Sequence, residues 1–427
     1  MKKFLNWYKL DNSAKLYPIL ITKNSQSLFR LSALLIEEID EERLSQALSD
    51  IMPRFPSFAV RLRNGVFWYY LEENNRPTKV FRDDGIMLKP IDIAATNHYW
   101  FRVSYFSKKI NIDFFHALTD ASGGMEFFKA LLHRYMTLGG QQIGNDNVLE
   151  YLAPSSESEM EDSFQTNYQK TRLKDLDLKS FTGIKPMFLE GKLLNGQGYG
   201  AIIGTMSASG FKEKAKQLNT GLNTLICALL MQSIAKTYET KLKKKPIVMM
   251  IPVNLHRVFG GNSLRNFVLF TRLCIMPSKD KTLEDYIKEC AEQLAEGTKK
   301  ENIQKQLNTT VRSERAAIFQ FMPLPLKYFA FKVGKLFLKA RQTMIFSNVG
   351  KIDIPQNMTL EKLAVNINVS RQSPVNVGAI TVNDKLVISF TRNIVETEIE
   401  RNFFTTIASL GLDVQIASNF REEQNVL

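Results

Sequence analysis

The chain has 427 residues, of which 44% are hydrophobic and 11% aromatic, a composition that excludes an intrinsically disordered protein. A chain of this length is too long for one ordinary core, so two domains are expected. The formal charge of +13 comes from lysines and arginines scattered among acidic residues, which argues against a nucleic-acid-binding protein and favours the encounter with a small polyanionic ligand.

The cysteine and histidine content limits the chemistry further. Cys227, Cys274 and Cys290 are odd in number and widely spaced, so neither a disulfide framework nor a thiolate metal site is expected. The histidines form no closely spaced pair, and no metal site is predicted. No apolar run reaches the roughly 18 residues of a membrane-spanning helix, and the N-terminus lacks the apolar core of a signal peptide. A cytoplasmic protein is therefore expected.

The first part of the chain alternates strand-like and helix-like patterns. Ile110, Ile112 and Phe114 recur at period two and predict a strand that ends at His116. The pair Asn64-Gly65 between two apolar runs predicts a β-hairpin. In chain order, the predicted elements are a strand in 27–38, a helix in 41–55, a hairpin in 58–72, strands in 98–106 and 108–116, and a helix in 123–138.

A polar, initially acidic segment from Ala153 to Thr171 is typical of a linker, and the α/β alternation restarts after it. We therefore predict two domains, 1–175 and 176–427. The elements predicted for the second domain are strands in 199–207, 247–254 and 266–275, helices in 211–219, 224–238, 282–303 and 326–341, a hairpin in 378–393 and a helix in 396–414.

The segment DFFHALTDASGG, Asp113 to Gly124, carries the strongest candidate chemistry. His116 stands where a strand ends and a turn rich in Asp, Ser and Gly leads into a helix. An imidazole in such a place can accept a proton at neutral pH. The spacing alone also allows a structural interpretation, in which His116 is a core histidine and Asp120 or Ser122 caps the helix.

Three segments, in this order, resemble the CoA-dependent acyltransferases related to chloramphenicol acetyltransferase and to condensation domains, in particular the bacterial alcohol-acetyltransferase-like branch. DFFHALTDASGG is similar to the superfamily motif H-H-x-x-x-D-G. The segment IPVNLHRVFGGNSLRNF (Ile251 to Phe267) is similar to its second-domain segment, and IFSNVGKIDIP (Ile345 to Pro355) to its Ser-Asn-x-Gly turn. With the opening YKLDNSAKLYP and the closing GAITVNDKLVISFTRN, the likeness covers nearly the whole chain.

The resemblance implies an α/β fold of two similar chloramphenicol-acetyltransferase-like domains, each a mixed β-sheet flanked by helices, with a channel between them. It implies transfer of an acyl group, acetyl being one candidate, from acyl-CoA to a small alcohol. Acyl-CoA would be a co-substrate, and no permanently bound cofactor is expected. His116 would act as general base, which contributes roughly 10²- to 10⁴-fold, while orientation and oxyanion stabilisation supply the remainder.

The resemblance also implies roles for residues around the base. Asp120 would point away from the substrate and form a structural ion pair with Arg257 or Arg265. Asn348, in the turn SNVG, would help to bind the cofactor or the oxyanion. Asn and Gly are also typical of a purely structural tight turn.

Three positions depart from the superfamily pattern. Phe115 replaces the first histidine, which leaves the base in place. Ala121 replaces the glycine after the aspartate, and His256 stands where related enzymes carry arginine. These two departures bear on the pairing of Asp120 and leave open a non-catalytic two-domain ligand-binding relative. The other alternative is a condensation-type enzyme that takes its donor from a carrier protein.

Overall fold

The computed structural model describes residues 5–22, 26–172, 184–194, 198–239, 245–316, 320–337 and 342–419. The predicted domain boundary at residue 175 lies outside these ranges.

Strands of the described residues form three sheets with helices packed against them. The strands are β1 (Trp7–Lys9), β2 (Leu28–Leu34), β3 (Val60–Asn64), β4 (Tyr69–Glu73), β5 (Val80–Arg82), β6 (Phe101–Phe106), β7 (Lys109–Phe115), β8 (Gly200–Ser207), β9 (Ile247–Asn254), β10 (Val268–Ile275), β11 (Met344–Ile352), β12 (Lys362–Ile367), β13 (Val375–Val382), β14 (Lys385–Arg392) and β15 (Gln415–Ser418).

Helices lie between most of these strands, as the alternating pattern predicts. They are α1 (Glu41–Ile51), α2 (Ala121–Leu138), α3 (Ser163–Thr166), α4 (Ala208–Gln217), α5 (Leu222–Thr237), α6 (His256–Phe259), α7 (Leu283–Gly297), α8 (Lys300–Arg315), α9 (Leu324–Phe337) and α10 (Glu398–Ser409).

The first lobe is built on a five-stranded mixed sheet in the order β12-β2-β7-β6-β5. Its central strand, β7, buries Ile112 and Phe114 completely. The same strand buries Asp113, which pairs with Arg30 of β2 at 2.7 Å and Arg102 of β6 at 2.6 Å. Burial alone would raise the pKa of Asp113, but the two guanidinium groups hold that pKa below its usual value. This crosslinked strand holds the residue that follows it, His116, at a fixed place.

The second lobe is built on a seven-stranded sheet in the order β10-β9-β11-β13-β14-β8-β15. Its helix α5 is apolar on nearly every side, and residues 225–231 are completely buried between the sheet and the helices α7 and α10. A helix that is apolar all round requires such a position in a core. Both lobes thus have cores of their own.

The lobes share a strand. β12 comes from the part of the chain assigned to the second domain, yet it pairs antiparallel with β2 of the first lobe. Its Val365 carbonyl oxygen lies so close to Gly378 of β13 that a Cβ there would collide with it. The two sheets therefore meet at a glycine, and the first lobe is completed by a segment beyond residue 360.

Two elements differ from the sequence prediction. The expected linker is partly structured: it contains α3, whose Phe164 is buried, and Glu159, which pairs with Arg54 at 2.6 Å. The helix predicted over 282–303 is two helices, α7 and α8, with the break at residues 298–299. α7 ends at Gly297, which packs so closely against Thr271 that no side chain fits there.

The predicted hairpins and the longer helices and strands are confirmed, but residues 338–341 of the helix predicted over 326–341 lie outside the described residues. The second hairpin turns at Asn383, whose φ of 51° lies in the left-handed region that asparagine tolerates. Among the described residues no single helix is both long and apolar enough to cross a membrane, and the one pair that passes this test together, α4 and α5, is bent by 81°.

Candidate functional site

His116 directly follows β7, and its imidazole packs against two aromatic rings. Its backbone N–H donates to the Ser27 carbonyl at 2.8 Å. The ring of Tyr17 stacks on the imidazole with a centroid distance of 4.7 Å, and Phe29 contacts it edge-on at 5.3 Å. The imidazole is only half-buried, so it is not sealed in the core.

The two nitrogens of this imidazole have different surroundings. Nδ1 lies 3.0 Å from Oδ1 of Asn266, which comes from the second lobe. Asn266 in turn donates from Nδ2 to Asp11 Oδ2 at 3.2 Å. Nε2 makes no hydrogen bond to the described residues, and it is not among their buried unpaired atoms. One side of the imidazole is thus anchored and the other is open for chemistry.

Tyr17 comes from the same N-terminal segment as Asp11. Burial raises the pKa of Tyr17 well above its usual value, and the carboxylates of Asp11 and Asp120 raise this pKa further. The phenol is therefore neutral at physiological pH. A neutral ring stacked on His116 restricts the rotation of the imidazole without competing for its proton.

Asp120 is buried and caps α2. Its Oδ1 accepts from the backbone N–H groups of Ser122 and Gly123 at 2.9 and 3.2 Å, and its Oδ2 accepts from the backbone N–H of Phe267 at 2.9 Å. The described residues show no ion pair from Asp120 to Arg257 or Arg265; both carboxylate oxygens accept from backbone N–H groups instead. Oδ1 accepts from the first N–H groups of α2, which have no partner within the helix, and Oδ2 accepts from Phe267, the residue just before β10.

The two arginines have other surroundings. Arg265 is buried and donates to the carbonyl oxygens of Lys9 and Met160 at 2.5 and 3.1 Å, and its Nε lies 3.9 Å from Asp11 Oδ2. Arg257 is exposed. Its guanidinium lies over Gly350, where an ideal Cβ would be 2.7 Å from Nη2.

The second-lobe sheet opens near this arginine. β9 and β11 run parallel but pair only where Met344 and Ile345 meet Met249 and Met250. Beyond these pairs, both strands change from mostly buried to half-buried. At the end of β9, Asn254 donates to Ser122 Oγ at 2.8 Å. The unpaired parts of β9 and β11 thus form a gap in the sheet, and the end of β9 contacts the first turn of α2, which follows His116 in the chain.

Asn348 lies on β11 at an irregularity between residues 348 and 350. Its Nδ2 donates to Asn223 Oδ1 at 2.5 Å, and its Oδ1 accepts from the backbone N–H of Gly350 at 2.9 Å. Gly350 has a φ of 95°, which favours glycine. Asn348 thus stabilises the opening in the sheet and makes no hydrogen bond to His116.

The departures from the superfamily pattern are also located. Ala121 is the first residue of α2. The imidazole of His256 packs against the ring of Phe267 at 5.1 Å, and its two nitrogens are buried without a hydrogen bond from the described residues. Neither residue touches His116 through a hydrogen bond. Among the described residues, no group of three His, Cys, Asp or Glu side chains is placed to hold a metal ion.

Sequence reasoning found His116 but assigned no role to Asn266, Asp11 or Tyr17. All three lie in segments that carry the resemblance, YKLDNSAKLYP and the Arg-Asn-Phe end of the second-domain segment. The roles of Asn266 and Asp11 depend on contacts between residues 150 and 255 positions apart, and Tyr17 acts through a contact with another segment as well; no local pattern reports such contacts.

No protein-family model matches the sequence, and no curated protein sequence matches it. Solved structures do match. The trichothecene 15-O-acetyltransferase TRI3 from Fusarium sporotrichioides has a TM-score of 0.60 at 11% identity, with 94% of each chain covered. Polyketide synthase associated protein 5 from Mycobacterium tuberculosis has a TM-score of 0.59 at 13% identity, with 94% of this chain and 98% of that chain covered.

A third match is a mutant starter condensation domain of rhizomide synthetase RzmA in complex with C8-CoA. Its TM-score is 0.59 at 11% identity, with 95% of each chain covered. These matches confirm the predicted architecture. The chain has the two-lobed α/β fold that condensation domains and CoA-dependent acyltransferases share.

Proposed function

We propose that this protein is an acyltransferase that moves an acyl group from acyl-CoA to a small alcohol, with His116 as general base. The observation that carries the proposal is the asymmetry of the imidazole. Nδ1 is anchored by Asn266, while Nε2 has no hydrogen bond to the described residues and is not among their buried unpaired atoms. A positioned, accessible ring nitrogen is the feature that general-base catalysis requires.

The proposed reaction proceeds by direct attack. The alcohol transfers its proton to Nε2 of His116 while its oxygen attacks the thioester carbonyl carbon, so a tetrahedral oxyanion forms. The intermediate collapses, the carbon–sulfur bond breaks, and the CoA thiolate takes the proton back from His116. The ester leaves and the base is regenerated without an acyl-enzyme.

The choice of acyl-CoA as donor has two supports besides the fold. CoA carries several phosphate charges, and this chain has a formal charge of +13, which favours the encounter with a polyanion. Arg257 is exposed at the gap between β9 and β11. We propose that the donor enters by this gap and that Asn348, on the opposite strand, contacts it or the oxyanion.

The proposal is tested with purified protein, short acyl-CoAs and a panel of alcohols, by following thiol release. We expect alcohol-dependent release that falls by at least about 100-fold in His116→Ala, because general-base assistance is lost. The control is His98→Asn, since His98 lies in a loop at a φ of 70°, where asparagine is tolerated. Release that is equal in His116→Ala and wild type would reject the proposal.

The same assay separates the alternatives. Carrier-protein-bound acyl donors are compared with free acyl-CoA at equal concentration. Turnover only with the carrier-bound donor would identify a condensation-type enzyme, and tight CoA binding without turnover of any donor would identify a ligand-binding relative.

A further inference from the structure

The hydrogen-bonded chain from His116 to Asn266 to Asp11 restricts where protons can lie. An ionised carboxylate only accepts hydrogen bonds. The amide group of Asn266 that faces Asp11 must therefore be its NH2 group, which places the amide oxygen against His116. This matches the contacts of Nδ2 with Asp11 at 3.2 Å and of Oδ1 with Nδ1 at 3.0 Å.

Each link of the chain is held independently. Asp11 is completely buried and accepts from the backbone N–H of Ala14 at 2.8 Å and the hydroxyl of Ser13 at 3.0 Å. Asn266 is 2% exposed, and the next backbone N–H donates to Asp120. If the amide turned over, its oxygen would face Asp11 Oδ2, and two buried acceptors would lie against each other.

We infer that Asn266 and Asp11 are positioning residues that keep His116 in the Nδ1–H tautomer, with the lone pair on Nε2. In the other tautomer, a ring lone pair would face the amide oxygen at 3.0 Å, and a buried acceptor would lose its donor. An unmade buried hydrogen bond corresponds to a preference of roughly 10- to 100-fold between the tautomers. The base thus requires three segments at once: the N-terminal segment, the end of β7 and the start of β10.

The use of Nε2 as base rests on the proposed function, but the tautomer can be read without any substrate. Uniform ¹⁵N labelling of histidine gives four imidazoles, and the His116→Ala spectrum assigns the one of interest. Two-bond ¹H–¹⁵N correlation spectra of the full chain, at a pH where the ring is neutral, distinguish a protonated Nδ1 from a protonated Nε2. We expect Nδ1 protonated and Nε2 unprotonated in the wild type.

The variant Asp11→Asn replaces an acceptor-only carboxylate by an amide that can also donate, so residue 11 no longer dictates which end of the Asn266 amide faces it. Both orientations of Asn266 then become accessible, so we expect ¹⁵N shifts that move toward the average of the two tautomers. In the thiol-release assay we expect kcat to fall by about two-fold with KM for acyl-CoA unchanged, because only the share of His116 that stays in the Nδ1–H tautomer remains active.

The control variant is Asp162→Asn. Burial, followed by the charge of Asp11, raises the pKa of Asp162 to about 6, so its carboxyl lies in the same electrostatic environment. Its carboxyl caps α3 through the N–H of Phe164, and it has no hydrogen bond to Asn266. We expect this variant to leave the ¹⁵N shifts of His116 in place.

A wild-type spectrum with Nε2 protonated would overturn the inference, whatever the activity, and it needs no variant that folds. Equal displacement of the shifts by Asp11→Asn and Asp162→Asn would also overturn it, because the effect would then be general electrostatics. If Nδ1 is protonated but His116→Ala retains full turnover, the tautomer inference stands and the proposed function fails.

Discussion

At the scale of single residues, the proposed base His116 and its two polar partners, Asn266 and Asp11, come from three separate segments of the chain. His116 is recognisable because strand, turn and helix signals meet within one continuous segment. Asn266 and Asp11 are ordinary polar residues in their own segments, and they gain a role only when two lobes and the N-terminal segment converge. The same limit applies to Asp120, since the sequence does not report that the backbone N–H of Phe267 in the other lobe donates to its carboxylate.

This reassignment of Asp120 leads to a prediction for Asp120→Asn. Asparagine is a good helix cap, so the bonds to the start of α2 are retained, but its NH2 group then faces the N–H of Phe267. We expect the free energy of unfolding to fall by about 1–3 kcal/mol, measured by urea denaturation. The control is Asp40→Asn, because Asp40 caps α1 through the N–H of Arg43 and contacts no other lobe. Equal losses in both variants would show that the contact with Phe267 carries no stability.

At the scale of elements, the lobes meet where α2 begins. Thr119 Oγ1 donates to the Leu264 carbonyl at 2.7 Å, and a Cβ on Gly123 would collide with the same carbonyl oxygen and with Thr119. The glycine therefore allows backbone to pack on backbone next to His116. Helix and strand propensities in the sequence predict α2 and β10, but they do not predict how closely the start of α2 approaches the segment that leads into β10.

We predict that Gly123→Ala forces this contact apart. Overpacking at such a place costs about 1–3 kcal/mol, and it displaces Asn266, two residues beyond Leu264. We expect a lower melting temperature and a loss of turnover in the thiol-release assay. The control is Gly221→Ala, since Gly221 also lies at the start of a helix, as the N-cap of α5, but has open space around its Cα. Unchanged stability and turnover in Gly123→Ala would contradict the close approach.

A second element-scale feature is the buried pair between α10 and β14. Glu400 and Arg392 are 1% and 2% exposed, with Nε and Oε1 3.7 Å apart, and neither carboxyl oxygen has a hydrogen bond within the described residues. Burial raises the pKa of Glu400 from 4.5 to about 7, although Arg392 opposes that rise. The folded state therefore favours the protonated carboxyl.

The sign of the pH dependence follows from this pKa. A raised carboxyl pKa contributes stability that is fully present below pH 4.5 and is lost as the pH rises through about 7. Because Glu400→Gln stays neutral, we expect its advantage over wild type in the free energy of unfolding to grow by roughly 1–3 kcal/mol between pH 5 and pH 8. Urea denaturation at both pH values measures it. The exposed Glu398→Gln is the control, and an advantage that does not change with pH would refute the assignment.

At the scale of the whole molecule, alternation of strands and helices was sufficient to predict an α/β fold with two lobes. It was not sufficient to predict that β12 returns to the first lobe, because a six-residue strand carries no information about which sheet it joins. The polar composition of the segment 153–171 also does not predict that Glu159 contacts both lobes. The carboxylate of Glu159 pairs with Arg54, and its backbone carbonyl accepts from the N–H of Leu264 at 2.9 Å. The two lobes are therefore crosslinked at several points.

These crosslinks predict that the lobes unfold together. The three tryptophans, Trp7, Trp68 and Trp100, all belong to the first part of the chain. Trp68 contacts Lys327 of α9, so the measurement uses a Trp68→Phe background, in which the fluorescence of Trp7 and Trp100 reports on the first lobe. Leu230 is completely buried in α5 of the second lobe, and Leu230→Ala should cost about 2–5 kcal/mol. In one cooperative unit, the urea midpoint of tryptophan fluorescence falls as much as that of far-UV circular dichroism. The surface variant Glu398→Gln leaves both midpoints in place.

A fluorescence midpoint that stays at the wild-type value in Leu230→Ala would mean that the lobes unfold separately, and the shared strand β12 would then contribute little to their coupling.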